Sequence, residues 1–146
     1  MQSGQARHER QRGVSLVDLL LGSAVVGVIA AAALPSYQQY TLRAQRGEAR
    51  NELLQSAAAL ERCFGLHGAY NHPACASIAG LPRTLASGHY LLSVAAADVS
   101  NYRLTAVPQG AQAKDEECRS FSLDSSRHQG VSEDASRSAN YCWAPR

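Results

Sequence analysis

A nearly continuous apolar run comes first among the patterned segments. Residues 14–34, VSLVDLLLGSAVVGVIAAAAL, carry one charge, Asp18, in 21 positions. As a helix rising roughly 1.5 Å per residue the run is about 32 Å long, enough to cross a hydrocarbon core. Pro35 removes a helical hydrogen bond and crowds the carbonyl of Ala31, which predicts a kink. It does not predict a stop, because helical spacing resumes. Leu42, Ala49, Leu53, Ala57 and Leu60 recur at three- to four-residue steps or their multiples. Arg43, Arg46, Arg50, Glu52 and Glu61 fall mostly on other faces. The pattern predicts one helix from Val14 to about Cys63, its second half packed on a sheet. Residues 64–88, rich in Gly, Pro, His, Ser and Ala, predict a long loop. Partial alternation then predicts three antiparallel strands, His89–Ala97, Tyr102–Pro108 and Cys118–Ser125, and polar residues 126–141 predict a surface loop. The expected fold class is α+β: a long N-terminal helix packed on a small antiparallel β-sheet.

Length and charge narrow the function. A chain of 146 residues is too short for a large two-domain enzyme. The net charge of +2 comes from residues 1–13, where Arg7, Arg10 and Arg12 outnumber Glu9. From Val14 onward Arg and Lys balance Asp and Glu, which disfavours a basic body that coats nucleic acid. Arginines ahead of the apolar run place the short head in the cytoplasm and everything after about residue 35 outside, with Tyr37 and Tyr40 at the outer interface. Three readings fit such a segment: a cleaved secretory signal, a simple anchor, or a short leader cut at the start of an apolar helix that stays on the mature chain. Asp18 separates them. A carboxylate in a membrane helix costs on the order of 2.5–3.5 kcal/mol at the bilayer centre. A passive segment gains nothing from that cost, whereas an assembling helix recovers it if a neighbour's cation meets the carboxylate.

Gly13 directly before V-S-L-V-D-L-L, a charged leader, an acid five positions after the glycine and Pro-Ser-Tyr-Gln-Gln-Tyr at 35–40 together resemble the type IV prepilins. Val14 stands where that family usually has Phe, and Asp18 where it usually has Glu. The resemblance implies a leader of residues 1–13, removed by a prepilin peptidase that cuts between Gly13 and Val14, with Val14 then N-methylated. It implies a helix over 14–63 whose segment 14–34 lies in the membrane or the filament core. Residues 64–146 would form a periplasmic, later extracellular, head. The new α-amino group, largely cationic with a reference pKa near 7.7–8.0, would neutralise Asp18 of an adjacent subunit and fix its register. Gly22, Ser23, Gly27 and Ala31 supply small positions through which helix backbones approach closely.

Four cysteines in an exported domain predict two disulfides among three pairings. Cys63–Cys75 and Cys118–Cys142 are preferred because each closes a local loop. The Cys118…Cys142-Trp143 arrangement also resembles the disulfide-bounded loop of minor pilins of the PilE kind, and that likeness extends from Tyr90 through Cys142. A rival is zinc held by Cys63, His67, His72 and Cys75, but an oxidising compartment favours the disulfide. No nucleophile elbow or phosphate cradle frames the Ser, His and Asp residues, so neither catalysis nor a cofactor is expected. Asp115-Glu116-Glu117 reads as a solvated turn. Some relatives of this kind are DNA receptors. Between Cys118 and Arg146 the basic residues Arg119, Arg127, Arg137 and Arg146 outnumber Asp124, Glu133 and Asp134 by one. That strip makes Arg119, Arg127 and Arg137 candidate DNA contacts, although so small an excess favours a plain solvated surface.

The expected function is a minor structural subunit of type IV pili that modulates assembly, adhesion, twitching motility or DNA uptake. Its expected partners are other pilins, the peptidase, the inner-membrane assembly platform, the inner membrane before assembly, and DNA as a further candidate. The alternatives are a DNA-binding receptor pilin and a pseudopilin of a type II secretion system, the Cys118/Cys142 pair speaking against the latter.

Overall fold

The computed structural model describes residues 13–144, which fall into two compact units dividing after Gln38. The predicted leader residues 1–12, and the Arg146 charge, lie outside the described residues.

Helix α1 spans Leu16–His67 and is helical through Pro35 without a break. It starts two residues later than the pattern predicts because Ser15 and Asp18 cap it reciprocally. The Asp18 carboxylate accepts the Ser15 backbone N–H at 3.3 Å, and the Ser15 hydroxyl accepts the Val17 N–H at 3.4 Å. Its C-terminal end passes Cys63 and reaches His67, stopped by Gly68 at φ 71°, a left-handed conformation that glycine adopts without penalty.

In the second unit α1 turns Ala49, Leu53, Ser56, Leu60 and Cys63 inward, alternating steps of four and three residues along one stripe. Ser56, not Ala57, holds the centre of that stripe, and Ala57 packs at its margin. The sheet has five strands where three were expected: β1 Arg83–Thr84, β2 Tyr90–Ala97, β3 Tyr102–Pro108, β4 Phe121–Asp124 and β5 Gln129–Val131. They form an antiparallel meander in chain order. A bulge between Val94 and Ala96 shifts the β2–β3 register. On β3 the buried residues alternate, Tyr102, Leu104 and Ala106, and on β4 Phe121 and Leu123 do the same. These side chains share one core with Leu53, Leu60 and Tyr90.

The predicted loop 64–88 holds more structure than its composition suggests. Helix α2, Pro73–Ile78, begins at a proline whose fixed φ suits a first helical position, and the His72 ring accepts the Ala74 N–H at 3.2 Å. β1 is added because Arg83 and Thr84 pair with Leu92 and Leu91. The predicted strand 118–125 shrinks to β4, since Cys118 and Arg119 lie in a turn where Arg119 takes φ 49°. The predicted loop 126–141 contains β5 and the start of helix α3, Ala139–Trp143, which Ser138 caps.

Candidate functional site

The first unit presents an apolar surface that none of the described residues covers. Gly13, Val14 and Ser15 precede the helix in non-helical backbone, and Val14 is 78% exposed. Leu16, Val17, Leu20, Val25, Val28 and Ile29 are all exposed, which is the distribution of a helix whose environment is a membrane or other helices. A Cβ at Gly22 or Gly27 would meet no atom within 4 Å. Among the described residues glycine there serves no contact, although it costs helix stability by about 1 kcal/mol against Ala. Ser23 is already satisfied, its hydroxyl donating to the Leu20 carbonyl at 2.9 Å, so it can enter an apolar interface without stranding a polar group.

In the second unit the strongest electrostatic feature is one that the hydrophobic pattern misplaces. Arg46 is 5% exposed, not on a solvated face, and Asp115 is 2% exposed, not in a solvated turn. The Arg46 guanidinium donates through Nε to Asp115 Oδ2 at 2.6 Å and through Nη2 to Asp115 Oδ1 at 2.7 Å. Nη2 also reaches Glu117 at 2.8 Å. Burial alone would lower the Arg46 pKa, but the bonds to Asp115 and Glu117 outweigh it and hold the group firmly charged. The same contact with Arg46 keeps the Glu117 carboxyl below the usual glutamate range, with Arg137 and Arg43 adding to the effect. Gln112, fully buried, donates to Asp115 at 3.1 Å and to the Tyr90 hydroxyl at 2.9 Å, and burial raises the Tyr90 pKa.

The three candidate DNA contacts do not form one strip. Arg119 and Arg127 flank β4 at opposite ends, and that strand of four residues covers roughly 13 Å. Arg119 pairs with Asp134 at 3.2 Å, and Arg137 lies 3.7 Å from Glu117 while its guanidinium sits over the Tyr141 ring. Arg127 occupies the β4–β5 turn beside Tyr102 and Glu61. Near that end a cavity of about 380 Å³ is lined by Asp98, Arg103 and Asp124. The Asp98 carboxyl there is lowered by backbone N–H groups of Ser100 and Asn101. Arg119 and Arg127 are the non-glycine residues with positive φ among those described, 49° and 62°. Each left-handed conformation costs roughly 1–2 kcal/mol, so the fold holds both side chains where their backbones would not go unaided.

Cys63 is bonded to Cys75 and Cys118 to Cys142. With both sulfurs of the first pair in a disulfide, the zinc alternative has no thiolates to use. His67 and His72 stack face to face with ring centroids 4.0 Å apart. The second bridge holds α3 against the head, assisted by the Trp143 indole donating to the Gly130 carbonyl at 3.0 Å.

The missed residues were legible in part. Arg43, Arg46 and Arg50 recur at three- and four-residue steps, a spacing that gathers charges on one helix face as surely as it gathers leucines.

Comparison with known proteins agrees with this geometry. Residues 35–122 match the family model described as "Type IV minor pilin ComP, DNA uptake sequence receptor". The Eikenella corrodens fimbrial protein EcpC is 32% identical over 111 residues, covering 71% of this chain and 71% of EcpC. A Neisseria gonorrhoeae type IV major pilin, PilE1, is 36% identical over 88 residues, covering 60% of this chain but 41% of PilE1. The crystal structure of the Neisseria meningitidis non-core minor pilin PilV superimposes with a TM-score of 0.52 at 17% identity, over 64% of this chain and 88% of PilV, which shows the fold. An apolar, uncovered N-terminal helix leading into a disulfide-stapled α+β head is thus accompanied by sequence kinship through most of that head: the chain belongs to the type IV pilin family, among the minor pilins that this model describes.

Proposed function

We propose that this minor pilin is a DNA receptor carried on the type IV pilus. The match of residues 35–122 to a family of DNA uptake sequence receptors carries the reading, because it spans the second half of α1 and strands β1 to β3 of the head. The small excess of positive charge no longer weighs against DNA, because phosphate contact needs local cations and not a basic whole.

The remaining steps of the proposal are those that the resemblance to prepilins implies. A prepilin peptidase removes residues 1–13, and the mature chain starts at methylated Val14. The apolar segment then holds the subunit in the inner membrane as a single pass with the head in the periplasm. The assembly platform transfers it into the fibre, where Asp18 meets the neighbouring subunit's terminal amine, and Gly22, Ser23 and Gly27 allow close helix approach.

Deletion of the gene, with fibres counted by electron microscopy and uptake of labelled duplex DNA measured, tests the receptor role. Fibres should persist while uptake falls at least tenfold. Loss of fibres together with uptake would reduce the protein to an assembly factor. A secretion defect with both intact would identify a pseudopilin.

A further inference from the structure

We propose that the cleft between the Tyr40–Arg50 stretch of α1 and helix α3 is a phosphodiester-binding site that grips the DNA backbone. The inference rests on the receptor reading and keeps Arg137 of the three candidate contacts named from the sequence, joining it to residues of α1 and leaving out Arg119 and Arg127. The cleft encloses about 300 Å³, and its walls include Tyr40, Arg43, Arg46, Arg50 and Tyr141. The second disulfide fixes α3 as one wall, so the cavity is shaped by the fold and not by a loose tail.

Each cation is placed differently. Arg46 is locked between Asp115 and Glu117 and supplies a fixed background charge. Arg50 donates through Nη1 to the Ala144 carbonyl at 2.5 Å and so ties the cleft walls together. Arg43 is exposed, and Arg137 remains half-exposed with its guanidinium 5.0 Å from the centre of the Tyr141 ring. These two can turn toward a ligand. The carboxylates facing the cluster are Asp115 and Glu117, and Glu116 is exposed on the same loop. Four guanidinium groups against three carboxylates leave a local cationic excess in a chain that is otherwise balanced from Val14 onward. At the far end of β4, in contrast, Arg103 and Arg127 lie among Asp98, Asp124 and Glu61, so that end repels phosphate.

The chemistry suits a repeated anion. Guanidinium forks bind phosphate oxygens bidentately, and tyrosine hydroxyls donate to the same oxygens. Tyr40, 70% exposed, borders the cleft and offers such a donor, and the Tyr141 ring forms part of the opposite wall. Contacts of this kind position a duplex without reading its sequence.

The test uses the full chain in neutral detergent micelles and a fluorescently labelled duplex of about 24 base pairs, with binding followed by anisotropy from about 50 to 200 mM salt. The Arg43→Gln/Arg137→Gln double variant should weaken binding to all sequences and reduce the slope of log K against log salt by about 2. Arg43→Lys/Arg137→Lys should keep the wild-type slope, since charge count sets it. Circular dichroism melting confirms that each variant is folded. If Arg103→Gln/Arg127→Gln lowers the slope and the cleft variant does not, DNA is held at the other end: the cleft assignment is overturned while the receptor reading stands. If the unmodified chain shows no salt-dependent binding at all, the receptor reading itself fails.

Discussion

Asp115→Asn isolates the buried ion pair that joins α1 to the turn leading into Cys118. The native carboxylate takes two hydrogen bonds from Arg46, at 2.6 and 2.7 Å, and one from Gln112 at 3.1 Å. It also accepts the backbone N–H groups of Glu117 at 3.2 Å and Cys118 at 3.4 Å. The side chains of Arg46 and Asp115 are 6% and 1% exposed, so solvent cannot replace what is lost. Removing one partner of a buried pair typically costs about 3–5 kcal/mol. Glu117 still touches Arg46 at 2.8 Å and keeps part of the compensation, which sets the expectation at the lower end, about 3 kcal/mol. A domain of this size has a total stability of roughly 5–15 kcal/mol, so the change is a substantial fraction. The assay is urea unfolding followed by the fluorescence of Trp143, the sole tryptophan and 8% exposed. An Arg46→Met/Asp115→Leu double variant should unfold later than Asp115→Asn, because it leaves no unpaired charge. A loss below about 1 kcal/mol for Asp115→Asn, or a double variant weaker than the single, would refute the reasoning.

Three further outcomes are expected. Tyr70, Tyr90 and Tyr102 are all raised by burial, Tyr70 to about 12 from its ordinary 10.0, with Glu61 adding to the effect on Tyr70 and Tyr102. Because the folded state keeps these protons longer, their stabilisation is complete below pH 10 and fades as pH climbs from there toward 12, so tyrosinate absorbance at alkaline pH should appear cooperatively with unfolding. Gly130→Ala places a Cβ 2.5 Å from the Ser122 hydroxyl and should cost about 1 kcal/mol in the same urea assay, with Ser122→Ala restoring most of it; an unchanged midpoint for the single variant counts against the crowding. Asp18→Ala should abolish incorporation into fibres without changing the folding of the head, and immunogold labelling of wild-type density would contradict its role in register.

Periodicity alone delivered the long helix and the central strands, because both bury a regular stripe: Leu53 and Leu60 on α1, Tyr102 and Leu104 on β3. The short elements escaped for a physical reason. β1 and β5 owe their existence to partners on neighbouring strands, and α2 depends on a proline and a histidine cap where a helix reading looks for a hydrophobic period. The apolar helix is written locally, in consecutive residues. Arg46 and Asp115 are not. They lie 69 positions apart, and a charge whose partner is so distant looks solvated until the chain is folded. The left-handed arginines were equally invisible, since no neighbouring residue type signals a positive φ at an arginine.

The two borders of the meander are short, two residues in β1 and three in β5, and the Trp143 indole occupies a carbonyl of β5. Unpaired strand borders invite other chains to add themselves on, and a subunit concentrated in a membrane and then in a polymer is unusually exposed to that hazard. With so little ladder on offer, the heads are poor templates for cross-β growth. Association between copies is thereby steered away from strand addition and toward other surfaces, such as the uncovered apolar stretch of α1.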